Sequence, residues 1–165
     1  MKRGMVILSA TFLVLSIARP GDRKDIKWLS MNAGLEQAKK SNKKMVIDVY
    51  TDWCGWCKKM DKAAYANEEV VAYLGEKYVT VRLNAESREK VTYKGEENSE
   101  MSLARAFGVT GYPTTIFLEP GGDGIASIPG YHDAPSLLNI LKYIGEDYYK
   151  SMKWAEYLSK KTKKD

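Results

Sequence analysis

The chain holds only two cysteines, Cys54 and Cys57. They stand three positions apart in W-C-G-W-C-K-K-M (53–60), directly behind the run M-V-I-D-V-Y. Met45 to Tyr50 is β-branched and mostly apolar, the pattern of a strand buried on both faces. The following K-K-M-D-K-A-A-Y-A favours helix. The cysteines therefore sit where a central strand hands over to a helix. A redox couple, half a metal site and a short structural staple all use such a pair. A structural zinc site needs about four N or S ligands. The chain offers two Cys and one His, His132, which lies among turn residues in G-Y-H-D and reads as a surface histidine. A staple across so short a loop gains little, because loop entropy grows with loop length. The redox reading asks for less. Cysteines at i and i+3 on a first helical turn come close enough for a disulfide. Cys54 at the helix start faces unpaired N–H groups and the positive end of the dipole, which favour a thiolate and make it the nucleophile. Cys57, one turn further in, is expected to be less accessible and to act as the resolving thiol. Trp53, Gly55 and Trp56 then form the surface that meets a substrate.

The rest of the chain supplies elements around that junction. Ile26 to Ser41 carries apolar Trp28, Leu29, Met31, Leu35 and Ala38 and reads as a helix. N-E-E-V-V-A-Y-L-G-E-K-Y reads as another, with Asn67 as N-cap and acids in its first turn. V-T-V-R-L-N sets Val79, Val81 and Leu83 against Thr80, Arg82 and Asn84, the alternation of a half-covered strand. Residues 86–99 are polar and read as a surface loop. Met101 to Phe107 suits a short helix that Gly108 terminates. T-T-I-F-L and I-A-S-I, separated by E-P-G-G-D-G, read as a hairpin. Ala134 to Lys161 reads as one long or two consecutive helices, whose aromatics Tyr148, Tyr149, Trp154 and Tyr157 pack onto their own domain. The order predicts an α/β fold, a mixed sheet sandwiched by helices.

At 165 residues the length suits one domain, residues 21–165. The net charge of +5 and pI near 9.0 raise nucleic acid as a partner, but the lysines are spread out and no aromatic basic stripe accompanies them, so none is expected. Residues 1–20 differ in kind. Lys2 and Arg3 precede an apolar run from Met5 to Ala18, then Arg19, Pro20, Gly21 and Asp22. This is the layout of a secretory signal peptide, and at about 14 residues the run is short for a bilayer span; an uncleaved, membrane-associated anchor and a buried core helix are the alternatives. Export places the cysteines where disulfides form and persist.

These motifs together resemble the thioredoxin superfamily from about Trp28 to about Ile144. V-I-D-V-Y-T-D-W-C-G-W-C-K is similar to its strand, active-site turn and helix start. G-V-T-G-Y-P-T-T, about 55 residues on, is similar to its second signature. The hairpin, a G-Y pair and a final helix are similar to its closing elements. The resemblance implies a three-layer sandwich with an extra C-terminal helix, and thiol:disulfide exchange with protein thiols and disulfides that needs no cofactor or metal beyond the Cys54–Cys57 couple. It implies a cis Pro113, Tyr112 offering its backbone to an extended substrate strand, and Asp48 moving protons to and from the resolving thiol. The Gly-Trp dipeptide stands where thioredoxin proper has Gly-Pro, so reductant strength does not carry over. The leader and C-terminal extension bring the chain closer to the periplasmic electron-transfer domain of transmembrane thiol–disulfide reductases. Those domains have a second acid one turn past the second cysteine, for which Asp61 is the candidate, and a membrane-bound electron donor. The chain ends K-T-K-K-D, without an ER-retention tetrapeptide, so a periplasmic or secreted protein is expected. A reductase or interchange protein is the leading reading; a disulfide-donating oxidase and a non-enzymatic peptide-binding module are its rivals.

Overall fold

The structure is a computed structural model, and it describes residues 25–162. The leader expected over residues 1–20 lies outside them. Among the described residues no helix is long and apolar enough to cross a membrane.

The elements run α1 (Met31–Ser41), β1 (Lys44–Tyr50), α2 (Gly55–Ala63), α3 (Glu68–Lys77), β2 (Tyr78–Asn84), β3 (Lys90–Tyr93), β4 (Glu96–Ser99), α4 (Glu100–Ala106), β5 (Thr114–Leu118), β6 (Gly124–Pro129), α5 (Ala134–Gly145), a 3-10 turn (Tyr148–Lys150) and α6 (Trp154–Thr162). The sheet order is β2-β1-β5-β6, with β1 parallel to β2 and antiparallel to β5, and β5 antiparallel to β6. It is the mixed sheet that the sequence predicts, with β1 inside it.

Strand alternation sorts the core into two layers. Met45, Ile47 and Val49 of β1, Val79, Val81 and Leu83 of β2, and Ile116 and Leu118 of β5 face α1, α4 and the β3–β4 hairpin. Val46, Tyr78 and Phe117 face α2, α3 and α5, where they meet Met60, Leu74, Leu137 and Leu141. Helices and hairpin thus cover both sides of the sheet. Asn67 caps α3 through its side chain, as expected, accepting from the N–H groups of Glu69 and Val70 at 3.0 and 3.2 Å. Gly108, at φ +73, follows α4 in the left-handed geometry that ends a helix.

Three expectations are corrected. The first helix starts at Met31, not Ile26, because Leu29 forms a parallel bridge with Val81 and Trp28 turns its ring edge-on to Tyr65, 5.0 Å away. That same segment covers the second face of β2, so Thr80 is buried and the strand is not half-open. Residues 86–99 include a hairpin rather than forming a plain loop. Lys94 and Gly95, at φ 52 and 85, make the two-residue turn whose twist matches its strands, and Val91 is buried beneath it. The C-terminal aromatics pack onto α5 as expected: Tyr143 lies 5.1 Å from Trp154 and 5.2 Å from Tyr157.

Helix and sheet approach closely at Gly34, where a Cβ would sit 2.2 Å from Val81 Cγ2. Val81 is fully buried and β-branched, so it has little room to yield. Overpacking costs about 1–3 kcal/mol and exceeds the ~1 kcal/mol that alanine gains over glycine in a helix. Gly34→Ala is therefore expected to lower the free energy of unfolding in urea by about 1–2 kcal/mol, and unchanged or raised stability would contradict this packing.

Candidate active site

β1 delivers the chain through Thr51 and Asp52 to Trp53, and α2 begins immediately after Cys54. Cys54 is the N-cap of α2, and its Sγ accepts the N–H of Cys57 at 3.1 Å. A sulfur there occupies the place of a capping oxygen and faces the helix's unpaired donors. The two cysteines form a disulfide, with Cα atoms 5.3 Å apart. The expected difference in access does not hold in this oxidised form: Cys54 is 3% exposed and Cys57 5%. What separates them is the cap position, which gives Cys54 alone a backbone donor at its sulfur.

The ground around the disulfide is aromatic. Trp53 and Trp56 are 66% and 56% exposed, although large apolar side chains of the core are almost fully covered. Trp53 lies edge-on to Tyr112, with ring centroids 6.0 Å apart, and this contact brings the Tyr112–Pro113 turn to the cysteine segment. That peptide bond is cis. Neither backbone group of Tyr112 is hydrogen-bonded among the described residues, while the Pro113 carbonyl accepts the N–H of Gly130 at 2.8 Å. On the other side Trp56 meets Tyr131 at 5.5 Å. Gly55 is exposed between the two tryptophans, with nothing within 4 Å of where its Cβ would stand.

Asp48 shares the β1 face of Val46, so it points to the α2 side of the sheet, and it is 2% exposed. Its Cα partners are Arg82 on β2 and Thr115 on β5. Arg82 Nε stands 3.3 Å from Asp48 Oδ2, an ion pair whose angle falls short of a hydrogen bond. The other end of the same guanidinium binds Asp61 on α2. Its Cζ lies 4.8 Å from the centre of the Trp28 ring and 5.3 Å from that of the Tyr50 ring. Asp48 Oδ1 is buried without a hydrogen-bond partner, and the Tyr65 hydroxyl stands nearby but outside hydrogen-bonding geometry. Burial pushes the Asp48 carboxyl up to about 7; Arg82 opposes the shift and the Asp61 charge adds to it.

The site therefore includes residues that sequence reasoning did not single out. Arg82 reads in the sequence as the polar side of a half-covered strand, and only the strand register reveals its partner. Tyr131 sits in the G-Y pair; Lys59, whose ammonium lies over the Trp56 ring, in an ordinary helical lysine pair; and Glu86, which accepts the Trp53 indole N–H, in the segment read as loop. Asp61, by contrast, is where the one-turn spacing puts it, and Arg82 joins it to Asp48. His132 is half-buried in the loop after β6, and burial lowers its proton affinity. Among the described residues no three His, Cys, Asp or Glu side chains gather as a metal group would.

The Asp48 shift has a definite consequence for stability. Between the usual 3.8 and about 7 the folded protein holds a proton that the unfolded chain releases. The contribution is fully present below pH 3.8 and is lost as pH rises through 7. At 1.36 kcal/mol per unit the loss is on the order of 4 kcal/mol. The stability of oxidised Asp48→Asn relative to wild type is expected to climb by that order from pH 4 to pH 8 in denaturant titrations and to level off above 7. A difference that stays flat over this range would contradict the buried, raised carboxyl.

Residues 31–145 match the family described as a thioredoxin-like domain. Among curated proteins the chain is 32% identical over 119 residues to protein disulfide-isomerase from Gallus gallus, covering 72% of this chain and 21% of that protein. It is 32% identical over 114 residues to the thiol:disulfide interchange protein DsbD of Yersinia enterocolitica, covering 68% of this chain and 18% of that protein. The chain thus spans about a fifth of the length of these relatives. Among solved structures, a thioredoxin-fold protein from Helicobacter pylori matches with TM-score 0.58 and 28% identity, over 80% of this chain and 91% of that one. With the cysteine pair capping α2, a mixed sheet behind it and this family match across most of its length, the chain belongs to the thioredoxin-like family.

Proposed function

We propose that the chain is an exported thiol:disulfide oxidoreductase, working as a reductase or interchange protein on protein thiols and disulfides in the periplasm or outside the cell. In the reducing direction the Cys54 thiolate attacks one sulfur of a substrate disulfide, and the other substrate sulfur leaves as a thiolate and takes up a proton. The Cys57 thiol loses its proton and attacks Cys54 sulfur. The substrate's second sulfur is released as a thiol, and the protein is left with the Cys54–Cys57 disulfide. Two electrons have passed to the substrate, and a membrane-bound donor restores the dithiol. Asp48 takes the proton from Cys57, a task for which an acid titrating near neutrality is suited. Tyr112, next to Pro113, offers its unpaired backbone groups to an extended substrate segment, and Trp53, Gly55 and Trp56 form the contact surface.

The observation that carries this reading is the disulfide at the N-cap of α2, covered in itself but ringed by exposed tryptophans. A fixed staple needs no such surface. The leader-like segment and the names of the relatives support export and exchange.

Cys54→Ser is expected to lower the rate of insulin disulfide reduction at least about 100-fold, since it removes the nucleophile. Cys57→Ser is expected to accumulate a mixed disulfide through Cys54, visible by non-reducing electrophoresis and mass spectrometry. Full activity in Cys54→Ser would overturn the proposal.

A further inference from the structure

The two exposed tryptophans beside the disulfide are tied to charges of opposite sign. Trp53 donates its Nε1–H to Glu86 Oε1 at 2.9 Å. Glu86 is held in turn by Asn84, whose Oδ1 accepts the Glu86 N–H at 3.0 Å. At the other tryptophan the Lys59 ammonium stands 4.6 Å from the Trp56 ring centre and 5.1 Å from that of Tyr131. Glu86 and Lys59 are both exposed, and neither has an ion-pair partner among the described residues. The cluster around Trp53 (Tyr112, Glu86) is thus aromatic and acidic, and the cluster around Trp56 (Tyr131, Lys59) aromatic and basic.

We propose that these two oppositely charged clusters read the order of charges along the substrate. An extended segment lying over Cys54 would set a basic side chain against Glu86 and an acidic one against Lys59, on either side of the reacting cysteine. In an extended chain, residues at i−2 and i+2 share the face of residue i and lie roughly 7 Å from it along the strand. They are the positions able to reach the two clusters while the cysteine sulfur meets Cys54. The tryptophan rings supply apolar contact that any sequence can use, and the two fixed charges supply polarity. This inference rests on the reading that Cys54 and Cys57 exchange disulfides with protein segments.

The test uses two isomeric, terminally blocked pentapeptides, Glu-Ala-Cys-Ala-Lys and Lys-Ala-Cys-Ala-Glu, each as its symmetric disulfide dimer. Composition and net charge are identical and only the order differs. Each exchange is balanced. The Cys54 thiolate displaces one peptide as a thiolate, which takes up a proton; Cys57 then closes the protein disulfide and releases the second peptide as a thiol. The rate of reduction by dithiothreitol gives each dimer's intrinsic reactivity. The reduced wild-type protein is expected to prefer one isomer about fivefold in kcat/KM after that correction, from two partly exposed ion pairs. The preference should shrink as salt is raised. Charge reversal by Lys59→Glu with Glu86→Lys should invert it, and either single reversal should abolish it. Equal rates in wild type, or a preference that the double reversal leaves in place, would overturn the proposal while leaving the exchange activity standing. If neither dimer is reduced faster than by buffer alone, the exchange reading itself fails, and this inference with it.

Discussion

A carboxylate inside a strand of methionine, valine and isoleucine is costly unless a cation meets it, and most of the site's organisation follows from how this chain meets that requirement. Arg82 stands across from Asp48 in the parallel β1–β2 register and reaches its carboxylate from the neighbouring strand. The same guanidinium holds Asp61 on α2 and lies against the rings of Trp28 and Tyr50. One side chain therefore fastens two strands, the helix that starts at the cysteines and the segment ahead of α1. The pair is incomplete as a salt bridge, because Asp48 Oδ1 is left without a hydrogen bond. Burial outweighs the attraction, so the proton affinity rises rather than falls. Well-packed apolar residues would commonly be as stable as such a pair or more so. What the arrangement does produce is a carboxyl that titrates near neutral pH on the face of the sheet that carries α2, as the proposed function requires.

The cysteines depend on the same frame. β1 runs through the middle of the sheet, and its end fixes where α2 begins, which in turn makes Cys54 an N-cap. The Cys57 N–H aimed at the Cys54 sulfur is part of the helix terminus, so it is in place before any reaction occurs. The Trp53–Tyr112 contact then sets the Pro113 turn, with its unpaired Tyr112 backbone, alongside. The fold, the cysteine cap and the position of the Tyr112 backbone are thus consequences of one strand being central.

How much of this could be read beforehand depended on whether the signal was local. The β1 run, the Asn67 cap and the Gly108 stop are local, and each was legible because the residue type itself carries the physics. Asp48 was legible as an acid out of place in an apolar strand. Its partner was not, since parallel register is set by the whole crossover between β1 and β2 and leaves no mark on Arg82's neighbours. The β3–β4 hairpin was missed because its strands are four residues long and carry a Lys-Gly turn rather than a strong turn pair. Trp28 and Leu29 looked helical by spacing, yet tertiary contact with β2 and Tyr65 draws them into the sheet layer. Lys59 and Glu86 carry no sequence signal at all; only their contacts with the Trp56 and Trp53 rings bring them to the site.

The measurement that bears most directly on this account is the titration of the Asp48 side-chain carboxyl in the oxidised protein, followed by carbon NMR in wild type and in Arg82→Gln. Because burial outweighs the Arg82 charge, a midpoint of about 7 is expected in wild type, and a higher one once the guanidinium that opposes the shift is removed. A wild-type midpoint in the ordinary carboxylate range near 4, or one that falls when Arg82 is replaced, would contradict it.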